Sequence, residues 1–121
     1  MTTQEVANQL VHLCKHGKFM DAIHELYDKD ILSIEAMAGP DGVKEMRGLE
    51  LVVKKGEWWT ANHEVHSAHV EGPMVAGNSF CVRFNMDVTN KQSGHRMQMD
   101  ELAIYQVKDG KIVKEEFFYG M

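Results

Sequence analysis

Phe80-Cys81-Val82-Arg83-Phe84-Asn85-Met86-Asp87-Val88-Thr89 alternates apolar and polar residues without a break. A period of two marks a half-buried β-strand. Phe80, Val82, Phe84, Met86 and Val88 share one face, and Cys81, Arg83, Asn85 and Asp87 the other. The same period runs through residues 95–107 and 111–119. In the first of these runs Met97, Met99, Glu101, Ala103 and Tyr105 fall together. Glu101 is thus an acid on an otherwise apolar face. Burying a bare charge is costly, so this carboxyl is paired, protonated or turned toward a cavity.

Working outward, residues 63–75 read as a fourth long strand, closed by Gly72-Pro73 and the Gly77-Asn78 turn. The first half is helical. Thr2 and Glu5 stand at capping-box spacing. Val6, Ala7, Leu10, Leu13 and Cys14 then form one stripe, which Gly17 ends. A second helix carries Phe19, Ile23, Leu26 and Tyr27 on its buried side, and Asp28-Lys29-Asp30 breaks it. Residues 31–37 read as a short strand with Leu32 and Ile34 on one face and Glu35 on the other. Residues 38–48 read as a loop around the turn signal Gly39-Pro40-Asp41-Gly42. A third helix is expected over residues 49–60, with Leu49, Val52, Val53, Gly56 and Trp59 as its stripe. Gly56 on that stripe implies a close approach to the sheet. The predicted fold is α+β: three N-terminal helices packed on a curved antiparallel sheet that ends in a four-strand meander.

The turn at Asp109-Gly110 decides which face the last strand shows. A two-residue type I′ loop puts Tyr105 with Ile112, Lys114 and Glu116. A three-residue loop with Gly110 in the left-handed region puts Tyr105 with Val113, Glu115, Phe117 and Tyr119. A one-residue slip exchanges the whole set. The second arrangement gathers the aromatics beside Met99 and Ala103 and is preferred here. It leaves Leu102, Ile104 and Phe118 on the outer face, an apolar patch that a monomer rarely exposes.

The chain has 121 residues and a net charge of -5. That length fits a single domain, residues 1–121, with one core. The acidic balance argues against binding nucleic acid or an anionic membrane surface. No apolar run approaches a membrane span, and the N-terminus has no signal-like segment. Cys14 and Cys81 sit in apolar patterns, as reduced core residues of a cytoplasmic protein would. No phosphate loop, nucleophile elbow or Cys-x-x-Cys motif is present, and no cofactor is called for. His63, His66 and His69 alternate faces of a strand and cannot converge on a metal. His12 and His16 are four apart on a helix but lack a third ligand. No metal site is expected. His63 or His66 is a candidate for lining a pocket as a proton carrier.

Leu26-Tyr27-Asp28-x-Asp30 before the first strand, Gly48-Leu49-Glu50 opening the third helix and Val107-Lys108-Asp109-Gly110-Lys111-Ile112-Val113 near the end resemble the SnoaL-like branch of the nuclear transport factor 2 superfamily. That superfamily includes ketosteroid isomerases, limonene epoxide hydrolases and polyketide cyclases. The resemblance covers nearly the whole chain and implies a cone, in which a curved sheet wraps a helix around a deep apolar pocket. It also implies a homodimer through the convex sheet face.

The resemblance places Glu35 where ketosteroid isomerases carry their carboxylate base. It places Leu10 and Ala103 where those enzymes carry oxyanion donors, so isomerisation of that type is not expected. The arginine between two aspartates of the epoxide hydrolases is absent as well. Glu35 and Glu101 are therefore the candidate catalytic pair. Trp59, Phe84, Met86, Met99, Tyr105, Glu115, Phe117, Tyr119 and His63 are candidate substrate-binding residues. Glu101 has an alternative as a partner of Arg83 or Arg96, and Glu35 as a structural ion pair. The expected ligand is a small apolar or amphipathic organic molecule. Two functions stay open: an acid–base isomerase, cyclase or lyase, and a non-catalytic ligand-binding or assembly domain.

Overall fold

The computed structural model of the protein describes residues 1–38 and 42–119. Helix α1 spans Thr3–Lys15 and α2 spans Phe19–Leu26; strands β1 (Tyr27–Ile34) and β2 (Glu45–Arg47) precede α3 (Leu49–Asn62). Four strands follow: β3 (His63–Ala76), β4 (Ser79–Asn90), β5 (Arg96–Lys108) and β6 (Lys111–Phe118). The third helix therefore follows two strands, so the helices are not all N-terminal.

The six strands form one sheet in the order β2-β1-β6-β5-β4-β3. The meander β3 to β6 is antiparallel, as expected. β6 then returns beside β1 in the same direction, with Ser33 opposite Glu115. That parallel pair makes the sheet mixed rather than wholly antiparallel.

α1 starts where the sequence places it. The Thr2 hydroxyl accepts from Glu5 N at 3.1 Å, and Glu5 Oε1 accepts from Thr2 N at 2.9 Å. This reciprocal pair satisfies two backbone donors that a helix start leaves open. At the other end Gly17 has φ +72°, and Lys18 N donates to Leu13 O at 2.8 Å. That is the left-handed cap which favours glycine. α2 stops at Leu26, and Tyr27 already belongs to β1. Asp28-Lys29-Asp30 is therefore strand rather than helix breaker.

The period-two faces hold. Phe80, Val82, Phe84, Met86 and Val88 are all buried, with Ala103, Tyr105 and Val107 beside them. Val6, Ala7 and Leu10 of α1 and Val52 of α3 complete the core. Each large side chain removed from water stabilises the fold by about 1.5–3 kcal/mol relative to exposure.

Three details differ from expectation. Gly72-Pro73 lies inside β3, at a register shift between Glu71 and Met74, and does not close the strand. Proline is tolerated there because β3 is an edge strand and the shift needs no ladder donor. Gly56 approaches α2, not the sheet: a Cβ there would lie 2.9 Å from Met20 Sδ and 3.2 Å from Ile23 Cδ1. The loop reading of residues 38–48 missed β2, which pairs with β1 through Leu32–Arg47. The turn signal read there at residues 39–42 lies mostly outside the described residues.

The hairpin at Asp109-Gly110 combines both alternatives. Asp109 and Gly110 have φ 52° and 76°, and Lys108 pairs with Lys111, so the loop has two residues. The preferred three-residue loop is thus incorrect. The ladder then shifts between Val107–Ile112 and Gln106–Lys114, leaving Val113 as an extra residue. This bulge places Glu115 opposite Tyr105 and Phe117 opposite Ala103, the facing that was expected. No described helix is long and apolar enough to cross a membrane.

Candidate functional site

The helices and the inner face of the sheet enclose a cavity of about 290 Å³. Its walls are mainly apolar. α1 contributes Leu10 and Cys14; α2 contributes Phe19, Met20 and Ile23; α3 contributes Val52 and Trp59. The sheet contributes Phe84, Met86, Met99, Tyr105 and Phe117. Into this apolar space project Glu35, Lys55, Glu101, Glu115 and Tyr119.

Glu115 forms the floor. Its side chain is only 2% exposed. It accepts hydrogen bonds from the Tyr27 hydroxyl and, at 2.7 Å, from Ser33 Oγ. Burial pushes its carboxyl above the usual range, against the lowering effects of Lys55, Tyr27 and Ser33. Burial holds the phenols of Tyr27 and Tyr105 well above the usual range, and the nearby Glu115 carboxyl adds to the rise in both.

Lys55 ties the floor to the mouth. Its Nζ donates to Ser33 Oγ at 2.8 Å and to Glu35 Oε1 at 2.7 Å, and lies 3.9 Å from Glu115 Oε2. It also sits 5.2 Å from the centre of the Phe117 ring. Glu35 takes a second, longer bond from the Tyr119 hydroxyl at 3.3 Å. Glu35 follows the end of β1, held there by Glu35 N donating to Lys44 O at 2.9 Å.

Glu101 differs from its neighbours. Among the described residues its carboxyl has no hydrogen-bond or ion-pair partner. Arg83 is taken by Asp100, with two bonds of 2.9 Å, and Arg96 by Asp87, at 2.9 and 2.7 Å. Both pairs stand on the outer face, so the alternative partners of Glu101 are already engaged. Burial raises the Glu101 carboxyl to about 7, helped by Glu35 and Glu115 and opposed by Lys55. A carboxyl near neutrality, unpartnered and facing a cavity, is equipped to give and take a proton.

The structure thus brings Glu35, Trp59, Phe84, Met86, Met99, Glu101, Tyr105, Glu115, Phe117 and Tyr119 into one lining. His63 does not join them. It stacks on Trp59 at 4.4 Å, with Nδ1 2.9 Å from Trp59 O. His66 is exposed and bonds Thr89 Oγ1 at 2.7 Å. Cys14 does line the cavity, but burial and Glu115 push its thiol up to about 12, which keeps it inert. Sequence reasoning missed Lys55, Ser33 and Tyr27. Lys55 carried a legible signal: it lies three residues after Val52 and four before Trp59, on the buried stripe of α3.

Comparison with known proteins agrees with this architecture. The sequence matches the family described as a SnoaL-like domain over residues 1–119. A crystal structure from Mesorhizobium loti is 44% identical, with a TM-score of 0.92, covering 98% of this chain and 100% of that one. That protein is proposed to be a SnoaL-like polyketide cyclase and is also termed a carbohydrate phosphatase. A proposed isomerase from Bacillus subtilis has 16% identity and a TM-score of 0.78, covering 99% of this chain and 90% of that one. A proposed SnoaL-like polyketide cyclase from Jannaschia sp. CCS1 has 16% identity and a TM-score of 0.74, covering 96% and 83%. At 16% identity, the last two show a shared fold alone. No curated protein matches the chain. The family match over nearly the whole sequence, together with the 44% identical relative, shows that the chain belongs to the SnoaL-like domain family.

Proposed function

We propose that the cavity binds a small, largely apolar organic molecule and moves a proton on it, with Glu101 as the proton carrier. The observation that carries this reading is the unpartnered Glu101 carboxyl, raised to about 7 inside an apolar cavity. General acid–base catalysis is most effective when the group titrates near the working pH. Lys55, held by Glu35 and Ser33, lines the same space. It supplies positive charge where a carbonyl oxygen would become negative as a neighbouring carbon loses its proton. The reaction class is proton transfer next to a carbonyl, the step common to isomerases, cyclases and lyases. Glu35 is the second acid–base candidate, and its bond to Lys55 favours a supporting role. Cys14 is buried and Cys81, on the outer face, only half-buried rather than in the core; both are free thiols, in keeping with a cytoplasmic setting.

Exchange of carbon-bound protons tests this directly. In deuterated water, NMR would follow the α-protons of cyclohexanone, 2-tetralone and a 1,3-diketone. The protein should speed the exchange of at least one of them. Glu101→Gln should then slow it by roughly 10²–10⁴-fold, the range for losing one acid–base group. Exchange unaffected by Glu101→Gln would contradict the reading. A second reading, binding without turnover, draws on the positions of Leu10 and Ala103. Both are buried and apolar, so neither offers a donor to an oxyanion.

A further inference from the structure

The cavity holds more acid than base. Three carboxyls line it, Glu35, Glu101 and Glu115, and among the described residues Lys55 is the only lysine or arginine in the lining. The Lys55 charge is largely compensated, because Glu35 and Ser33 take two of its three protons and Glu115 lies within 3.9 Å, which leaves one N–H for a carbonyl oxygen but little charge for a full anion. Glu115 is further satisfied by Tyr27 and Ser33. Glu101 is left over. The groups that face it across the cavity are Glu35, Glu115, Tyr105 and Tyr119, besides Lys55. None of them donates a hydrogen bond to it.

The walls suit positive charge too. Ring faces attract cations, and Phe117 already carries the Lys55 ammonium at 5.2 Å. Phe84 and Trp59 also belong to the lining, and Phe84 is the cross-strand partner of Glu101 itself. An anionic ligand would enter among three acids and find its one cation already engaged. A neutral ligand would leave Glu101 without an ionic partner. A ligand cation would find an unpaired carboxyl and ring faces among mainly apolar walls, a setting in which charge pairs are stronger than at a surface.

We propose that the cavity selects a cationic amphiphile, an apolar molecule whose ammonium group sits against Glu101. The inference rests on the small-molecule reading above and names its ligand class. It also gives the cation a part in the chemistry. The empty site holds Glu101 at about 7, so near neutral pH the carboxyl is half protonated. An adjoining positive charge favours the ionised form and expels that proton to solvent. A cationic substrate would therefore hold Glu101 as a carboxylate, the only form able to accept a proton from carbon, though a less basic one than in the empty site.

Calorimetry with three near-isosteric probes tests the inference: 3-phenylpropylammonium, 3-phenylpropan-1-ol and 3-phenylpropanoate. The ammonium should bind at least about tenfold more tightly than the alcohol, and the carboxylate more weakly than either. Repeating the titration at pH 7 in buffers of different ionisation enthalpy should show about half a proton released per ammonium bound. Glu101→Gln should abolish both the preference and the proton release. Glu50→Gln removes at least as much negative charge, but at an exposed residue paired with Lys54, and should leave both intact. Equal binding of alcohol and ammonium, no binding of the ammonium, or a preference that survives Glu101→Gln would overturn the inference. If the alcohol binds as well as the ammonium while ketone exchange still depends on Glu101, the ligand class falls and the proton-transfer reading stands.

Discussion

At the scale of single residues, the acids of the cavity are distinguished by what surrounds them. Glu115 has two hydroxyl donors, Glu35 has an ammonium and a phenol, and Glu101 has no donor among the described residues. The consequence reaches stability. Glu101 rises from an ordinary 4.5 to about 7 on folding. A raised acid favours the folded state most where it is protonated in both states, below pH 4.5. That contribution is lost as pH climbs from 4.5 through 7, by at most about 3 kcal/mol. Glu101→Gln removes the dependence. Melting temperatures of the two proteins should therefore diverge in favour of the variant between pH 4.5 and 7, then stay apart above it. A constant difference across that range would mean that Glu101 keeps an ordinary affinity for its proton.

At the scale of elements, the hairpin between β5 and β6 sets the floor of the site. Its two loop residues both have positive φ, and a Cβ on Gly110 would lie 3.1 Å from Met1 N and 3.2 Å from Met1 O. Gly110→Ala should cost about 1–2 kcal/mol, through left-handed strain and this contact. Urea unfolding would measure it, and an unchanged midpoint would contradict the account of the turn. The same hairpin shows what a sequence can reveal. The alternation of β4 and β5 was readable because each strand buries one face continuously. The facing of Glu115, Phe117 and Tyr119 was readable from the clustering of aromatics. The bulge at Val113 was not, because both turn types fit Asp109-Gly110 and only the cross-strand ladder decides between them. Lys55 was overlooked because a lysine on a helix usually reaches water; its partners Ser33 and Glu35 lie about twenty residues away in the chain. The position of His63 was likewise hidden, since its stacking on Trp59 depends on where α3 gives way to β3.

At the scale of the whole molecule, the outer face of the sheet stands uncovered. Leu102, Ile104 and Phe118 are 46%, 42% and 44% exposed, and Leu102 pairs directly with Phe118. Apolar side chains grouped in this way mark an interface more often than a free surface. The chain should form a homodimer through that face. Light scattering at micromolar concentration should give twice the monomer mass, and Ile104→Glu should halve it without altering the circular dichroism. A monomeric native protein would remove the dimer.

The apolar cavity and the network from Tyr27 to Tyr119 leave one carboxyl, Glu101, without a partner among the described residues. An NMR pH titration with carboxyl-labelled glutamate, the Glu101 signal assigned by its loss in Glu101→Gln, measures that group without any knowledge of the substrate. The account predicts a midpoint of about 7, falling when Glu35→Gln removes a neighbouring negative charge. A midpoint near 4.5, or one insensitive to Glu35→Gln, would contradict it.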